Sequence, residues 1–196
     1  MIAILLNDAS FEQDIRELLM AFYPGETFTH KEEEAGEAEL IVRGVRDGNS
    51  FSLDVTPVKK EAVHFALIYP DFSNRFETKN EIKQTLYRLL SAQTGRELPW
   101  GTLTGIRPTK IALTKLYDGW TDEQIETYMR ETYFTSKEKI DLSIDVAERE
   151  RRLLSTIDYE NGYSLYVGIP FCPTTCLYCS FTSFPIVKWE KRMDLY

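Results

Sequence analysis

The sequence predicts an α/β protein in three parts: an α+β N-terminal domain over residues 1–98, a helical connector over 99–160, and the opening of a β/α unit over 161–196. Three observations predict it. Short strand-like apolar runs alternate with amphipathic helical stripes through the first hundred residues. Helix-start signals then follow one another at Thr109, Thr121 and Thr135 with no strand pattern between them. Last, Tyr163–Ile169 alternates like a strand, a loop carrying all the cysteines follows at once, and Trp189–Tyr196 begins a helix pattern.

Taken in order, Ile2–Leu6 is a short buried strand. Ser10 and Gln13 are spaced as a capping box. Phe11, Ile15, Leu18, Leu19 and Phe22 then form the apolar stripe of a helix that Pro24-Gly25 ends. Lys31–Glu39 holds five glutamates without an aromatic or histidine among them, the pattern of a solvated loop rather than a cation site. His30 and His64 are read as edge positions rather than ligands. Leu40–Arg46 and Ser50–Pro57 form a hairpin around Asp47-Gly48, with Phe51, Leu53 and Val55 on one face. Val63–Tyr69 is a further strand closed by Pro70. A helix from about Lys79 to Thr94 carries Ile82, Leu86, Leu89 and Leu90, with Gly95 as its stop.

The segment Pro99–Pro108 places glycines, threonines and Arg107 ahead of a helix that Pro108 can start. Such a loop can hold an anion, so Arg107 is a candidate for an anionic substrate. The commoner reading of the same residues is a connector that caps a helix. Helices follow at about Thr109–Tyr117, from Thr121 with Gln124 closing a capping box, and from near Thr135 with Glu138 in the same role. Ile140, Ile144, Ala147 and Leu154 line the third. Asn161-Gly162 is a turn. In the strand beyond it, Tyr163, Leu165, Val167 and Ile169 share one side.

Composition bounds the function. Of 196 residues, 43% are hydrophobic and 28% charged, as in a protein with a packed core. The net charge of −8 argues against nucleic acid or an anionic membrane surface as a partner. Residues 1–100 carry 11 basic and 17 acidic groups against 12 and 14 in residues 101–196, so anion handling belongs in the second half. Apolar runs such as Ile2–Leu6 and Phe65–Tyr69 are five residues each, whereas a membrane span needs about 20. The start lacks a basic segment, and Asn7 and Asp8 interrupt its apolar run. A cytoplasmic location is therefore expected.

The three cysteines, Cys172, Cys176 and Cys179, are an odd and clustered set, which is not a disulfide framework. Their spacing is C-x3-C-x2-C. Thiolates are soft ligands suited to iron–sulfur clusters. A four-iron cluster usually takes four cysteines, so three on one short loop leave one iron open to bind something else. Zinc would need a fourth ligand, with His30 or His64 reaching from far away in sequence, and a non-catalytic metal-binding module stays open as an alternative.

C-x3-C-x2-C with Tyr178 just before the last cysteine resembles the signature of the radical S-adenosylmethionine superfamily. The wider string Tyr-x-x-Ile-Pro-Phe-Cys, Tyr166 through Cys172, resembles the oxygen-independent coproporphyrinogen III oxidase (dehydrogenase) family within it. Pro99–Lys110 and the N-terminal α+β arrangement are similar to the branch of that family with an extra N-terminal domain. The resemblance implies the first β/α unit of a partial TIM barrel. It implies a 4Fe-4S cluster held by Cys172, Cys176 and Cys179, with S-adenosyl-L-methionine on the open iron. Tyr166, Gly168, Tyr178 and Phe181 would surround that cofactor, Tyr178 against its adenosyl part. It further implies an electron donor and a small-molecule substrate, coproporphyrinogen III or another tetrapyrrole, whose propionate side chains lose hydrogen and CO2 to become vinyl groups. No catalytic side chain is singled out.

Two positions depart from the family. Gly168 stands where the family's strand carries His, and Phe181 where decarboxylating members often have a further Cys. Phe at that place is also found in a related haem-binding, chaperone-like branch without oxidase activity, which is the alternative reading. A barrel of this family also needs several more strands, including a glycine-rich one that grips the methionine part. The chain is therefore expected to be an N-terminal fragment, inactive by itself.

Overall fold

A computed structural model describes residues 1–58, 63–105, 107–158 and 161–196. The fold is mixed α/β, as the sequence predicts, and divides into two compact units, Met1–Ser155 and Thr156–Tyr196.

The first unit is built on a five-stranded sheet. Strand β1 (Ile2–Leu6) leads through a 3-10 turn at Ala9–Phe11 into helix α1 (Glu12–Phe22), and the chain returns as β2 (Phe28–Thr29), parallel to β1. Strand β3 (Leu40–Asp47) lies parallel to β1 on its other side. A hairpin joins it to β4 (Ser50–Pro57), and β5 (His64–Ile68) forms the edge, giving the order β2-β1-β3-β4-β5. Alternation does what it should: Val42, Phe51, Leu53 and Val55 are fully buried on one face, under Ile15, Leu18, Leu19 and Phe22 of α1 and Ile82, Leu86 and Leu90 of helix α2 (Arg75–Thr94). Each such side chain contributes about 1.5–3 kcal/mol on burial. The glutamate-rich run does face water for the most part, but it folds as a 3-10 turn at Glu32–Glu37, which sets Ala35 and Ala38 against Ala3 and Leu5 on the opposite face of the sheet.

Helices α3 (Thr109–Tyr117), α4 (Asp122–Tyr133) and α5 (Lys137–Leu154) make a second core of Ala112, Leu116, Ile125, Met129, Ile140 and Ala147. The capping box at Thr121 is present in full. The Gln124 N–H donates to Thr121 Oγ1 at 3.3 Å, and the Thr121 N–H donates to Gln124 Oε1 at 2.9 Å.

Three capping expectations need correction. At the first helix, Asp8 accepts from the Ser10 N–H and caps the 3-10 turn, while Gln13 reaches Glu17 instead of the backbone. Helix α2 begins at Arg75, not Lys79, because the Asn74 side chain accepts from the Glu77 N–H. At α5 the cap position is Ser136, not Thr135. Phe134 takes a left-handed conformation (φ 58°) to end α4, which leaves Thr135 buried between the two helices.

The second unit differs most from expectation. Residues 163–169 are not a strand. They form no ladder, and their side chains are exposed, from 92% at Tyr163 to 69% at Ile169. Alternation becomes a strand only against a neighbour, and the pairing among this unit's described residues lies elsewhere: β6 (Phe171–Cys172) runs parallel to β7 (Phe184–Pro185). The helix expected at Trp189–Tyr196 is replaced by a short α6 (Ile186–Trp189) and a 3-10 turn at Glu190–Arg192. Phe171 is the buried centre, its ring 5.5 Å from Trp189 and 4.8 Å edge-on from Tyr196. The turn at Asn161-Gly162 is as read, the Gly162 N–H donating to the Asp158 carbonyl at 2.9 Å.

Candidate functional site

The cysteine loop starts on β6. Pro170 precedes it, and its carbonyl accepts from the Phe184 N–H at 2.7 Å, so the first cysteine is anchored by the short parallel ladder. Cys172 is half-buried. The Cys179 N–H donates to the Cys176 carbonyl at 3.0 Å, a turn that brings the second and third cysteines back on themselves. All three thiols are free, and the Cys179 Sγ lies 3.8 Å from the Phe181 carbonyl.

A cleft of about 300 Å³ opens beside this loop. Tyr166, Gly168, Cys172, Cys179 and Phe181 line it, together with Ser183. Five of the residues singled out from the sequence therefore meet. Cys176 and Tyr178 do not line the cleft: both are exposed, Tyr178 at 90%. Gly168 lies beside the exposed Tyr166 ring, which a larger residue would push aside by a few tenths of an ångström. A Cβ there would meet Tyr166 Cε1 at 3.0 Å, and the Gly168 carbonyl accepts from the Tyr196 hydroxyl at 3.1 Å.

The donor set suits an iron–sulfur cluster by type, since three soft thiols sit within eight residues. Among the described residues no three His, Cys, Asp or Glu side chains converge to hold a metal, so Cys176 must turn inward for the loop to offer three ligands at once.

Arg107 belongs to the first unit, where its Nη2 donates to Glu150 Oε1 at 2.7 Å. The loop ahead of it is a clasp within the first unit, and no side chain caps the helix it leads into. The Thr102 N–H donates to the Tyr133 carbonyl at 2.8 Å. The Thr104 hydroxyl donates to Glu17 Oε2 at 2.8 Å and accepts from Lys83 Nζ at 2.9 Å. Lys83 is a buried lysine on α2. Burial pushes its ammonium below the usual lysine range, and the nearby Asp14 and Glu17 carboxylates oppose that. Sequence reading missed it because a lone lysine in a helical stripe looks like an edge residue.

Over 145 residues, 72% of its length, the chain is 36% identical to the oxygen-independent coproporphyrinogen-III oxidase-like protein HemZ of Bacillus subtilis. The chain is a relative of the oxygen-independent coproporphyrinogen-III oxidase-like proteins. The resemblance read from the residues is thereby borne out. This coproporphyrinogen-oxidase-like chain spans 28% of the length of HemZ. No family model matches it, and no solved structure does. Among its described residues no helix is long and apolar enough to cross a membrane.

Proposed function

We propose that the chain is part of a radical S-adenosylmethionine oxidoreductase acting on coproporphyrinogen III or a related tetrapyrrole in haem biosynthesis. The observation that carries this reading is the C-x3-C-x2-C loop of free thiols, with Cys172 and Cys179 already facing one cleft beside Tyr166 and Phe181. The similarity to HemZ supports the substrate class. Cys172, Cys176 and Cys179 would hold a 4Fe-4S cluster, leaving one iron for S-adenosylmethionine. Together these groups supply the one-electron chemistry that removes hydrogen from a propionate side chain and leads to a vinyl group with loss of CO2.

The chain's own residues do the rest. The β6–β7 ladder holds Cys172 in place. The bond from the Cys179 N–H ties the Cys176 carbonyl, so bringing the Cys176 thiol inward falls to rotation of its exposed side chain. Tyr166 and Phe181 offer ring faces along the cleft for the bound cofactor, and the Tyr196 hydroxyl bond to the Gly168 carbonyl tethers the segment that carries Tyr166. An electron donor for the cluster, and a one-electron acceptor for the substrate radical as CO2 leaves, would complete the system.

The test is anaerobic reconstitution of the chain with iron and sulfide. The expected product carries about four irons and four sulfides, as a cubane cluster does, and Cys176→Ser loses it. A Cys176→Ser chain with full iron and sulfide overturns the ligand assignment. Zinc bound one per chain, with no visible absorption after reconstitution, favours a non-catalytic metal module instead. Phe181 at the cleft supports a second reading, a haem-binding chaperone-like protein of the same superfamily. Haem transfer without consumption of S-adenosylmethionine would select it.

A further inference from the structure

A cleft in the first unit, of about 580 Å³, takes no part in the function proposed above. It lies where α2 meets the junction of α4 and α5, and its size is that of a small-molecule site. Three independent features of it point to an anion.

The first is charge. Arg88 from α2, Arg130 from α4 and Lys137 from α5 line the cleft against one lining carboxylate, Glu97, in a chain whose net charge is −8. Arg130 also pairs with Glu126 at 3.1 Å, and Lys137 with Glu126 at 3.5 Å and with Asp141, but neither of those acids lines the cleft. Arg88 forms no ion pair among the described residues. Its guanidinium lies 4.9 Å from the centre of the Phe134 ring.

The second is an open helix end. Helix α5 starts in the cleft, and the Ser136 side chain makes no capping bond. The first N–H groups of a helix have no internal partner, and the dipole makes that end positive. The third is a pair of orphaned hydroxyls. Ser91 Oγ and Thr135 Oγ1, both on lining residues, are buried without a hydrogen-bond partner among the described residues, and Thr135 is only 2% exposed. Buried hydroxyls are normally satisfied, so these two, covered at the wall of one cleft, gain a partner by turning towards an acceptor bound there. Tyr87 and Phe134, with ring centres 5.5 Å apart, form an apolar wall beside these groups.

We propose that this cleft binds an organic oxyanion, a carboxylate or phosphate carried on an apolar or aromatic body. The head group sits at the α5 N-terminus among Arg88, Lys137 and the Thr135 hydroxyl, and the body lies along Tyr87 and Phe134. Nothing in this assignment depends on the cysteine loop.

Amide spectra of the full chain, recorded at constant ionic strength with inorganic phosphate, phenyl phosphate, benzoate or sodium chloride, test it. Saturable shifts at Thr135, Lys137 and Glu138 are expected with the oxyanions and not with chloride. At least one aromatic probe should bind about tenfold more tightly than inorganic phosphate, and the better of the two assigns the head group as phosphate or carboxylate. Arg88→Gln should weaken binding about tenfold with no change in melting temperature, since a charge-assisted bond is lost from an exposed side chain. Thr135→Val should also weaken binding about tenfold, yet leave the ligand-free melting temperature equal or higher, because it removes a hydroxyl that no protein group satisfies. A merely structural threonine would lose stability instead. Shifts that chloride reproduces, or an Arg88→Gln chain of undiminished affinity, overturn the proposal.

Discussion

Gly101 shows how much one residue carries. It sits in the left-handed region (φ +57°), and a Cβ at that position would fall 1.9 Å from the Tyr133 carbonyl oxygen and 2.6 Å from the Phe134 carbonyl. The clash is with backbone, so no side chain can yield, and the contact it protects is the Thr102 N–H bond to that same Tyr133 carbonyl. Gly101→Ala is expected to cost about 3 kcal/mol from steric clash and a strained φ together, read as a melting temperature lower by about 6–12 °C. A variant melting within a degree of the parent would show that the clasp is not what holds α4 to the loop. The sequence marks this glycine only as one of two in a turn-rich stretch, because the carbonyl that excludes a side chain lies some thirty residues away. Cys172, Cys176 and Cys179 are legible for the opposite reason: their meaning lies in local spacing. What spacing does not show is that Cys176 is turned out while its two companions share a cleft.

Helices and strands divide along the same line. Helix α3 falls at Thr109–Tyr117 as expected, and the Thr121–Gln124 box opens α4, since a cap is settled within four residues. Asn74 and Glu77 carry the same signal and open α2 a full turn ahead of its apolar stripe, where attention to the stripe alone misses it. Strands answer to partners. The hairpin of β3 and β4 is legible because its two arms supply each other, whereas the alternation of residues 163–169 finds no ladder within its unit. Thr135 and Ser136 illustrate a subtler failure. Both are cap-forming residues, and the choice between them is made by the left-handed turn at Phe134, a feature of the preceding helix end. Caps that are made and caps that are not should therefore differ on mutation. Thr121→Ala is expected to lower stability by about 1 kcal/mol in urea unfolding. Ser136→Ala, which removes no capping bond, should stay within about 0.5 kcal/mol of the parent. Equal losses at the two sites would mean that the hydroxyls act through something other than the helix ends.

At the scale of the whole molecule, the buried titratable groups set how stability depends on pH, and they pull in opposite directions at the alkaline end. Burial, and then the hydrogen bond that the neutral Tyr133 hydroxyl shares with the neighbouring Tyr128 oxygen, hold the Tyr133 phenol above the usual tyrosine range, and burial raises Tyr23 as well despite Arg96 beside it. A group whose pKa is raised by folding contributes stability that is whole below its unfolded pKa, about 10 for tyrosine, and is lost as pH climbs past that value. Lys83 runs the other way. Burial lowers its pKa, so folding is penalised while the ammonium is charged, and the penalty lifts as pH rises from the lowered value towards about 10.4. Two phenols against one lysine make the net sign negative above about pH 10. Urea midpoints followed by helical circular dichroism should therefore hold or rise slightly up to that pH and then fall, and the fall should be shallower in Tyr133→Phe, which has no proton to lose. In the native protein, absorbance titration should show fewer than all 11 tyrosines ionising before the chain unfolds. A Tyr133→Phe chain whose midpoint falls as steeply as the parent's would move the cause from this junction of α2 and α4 to the exposed carboxylates, whose mutual repulsion is unchanged by the substitution.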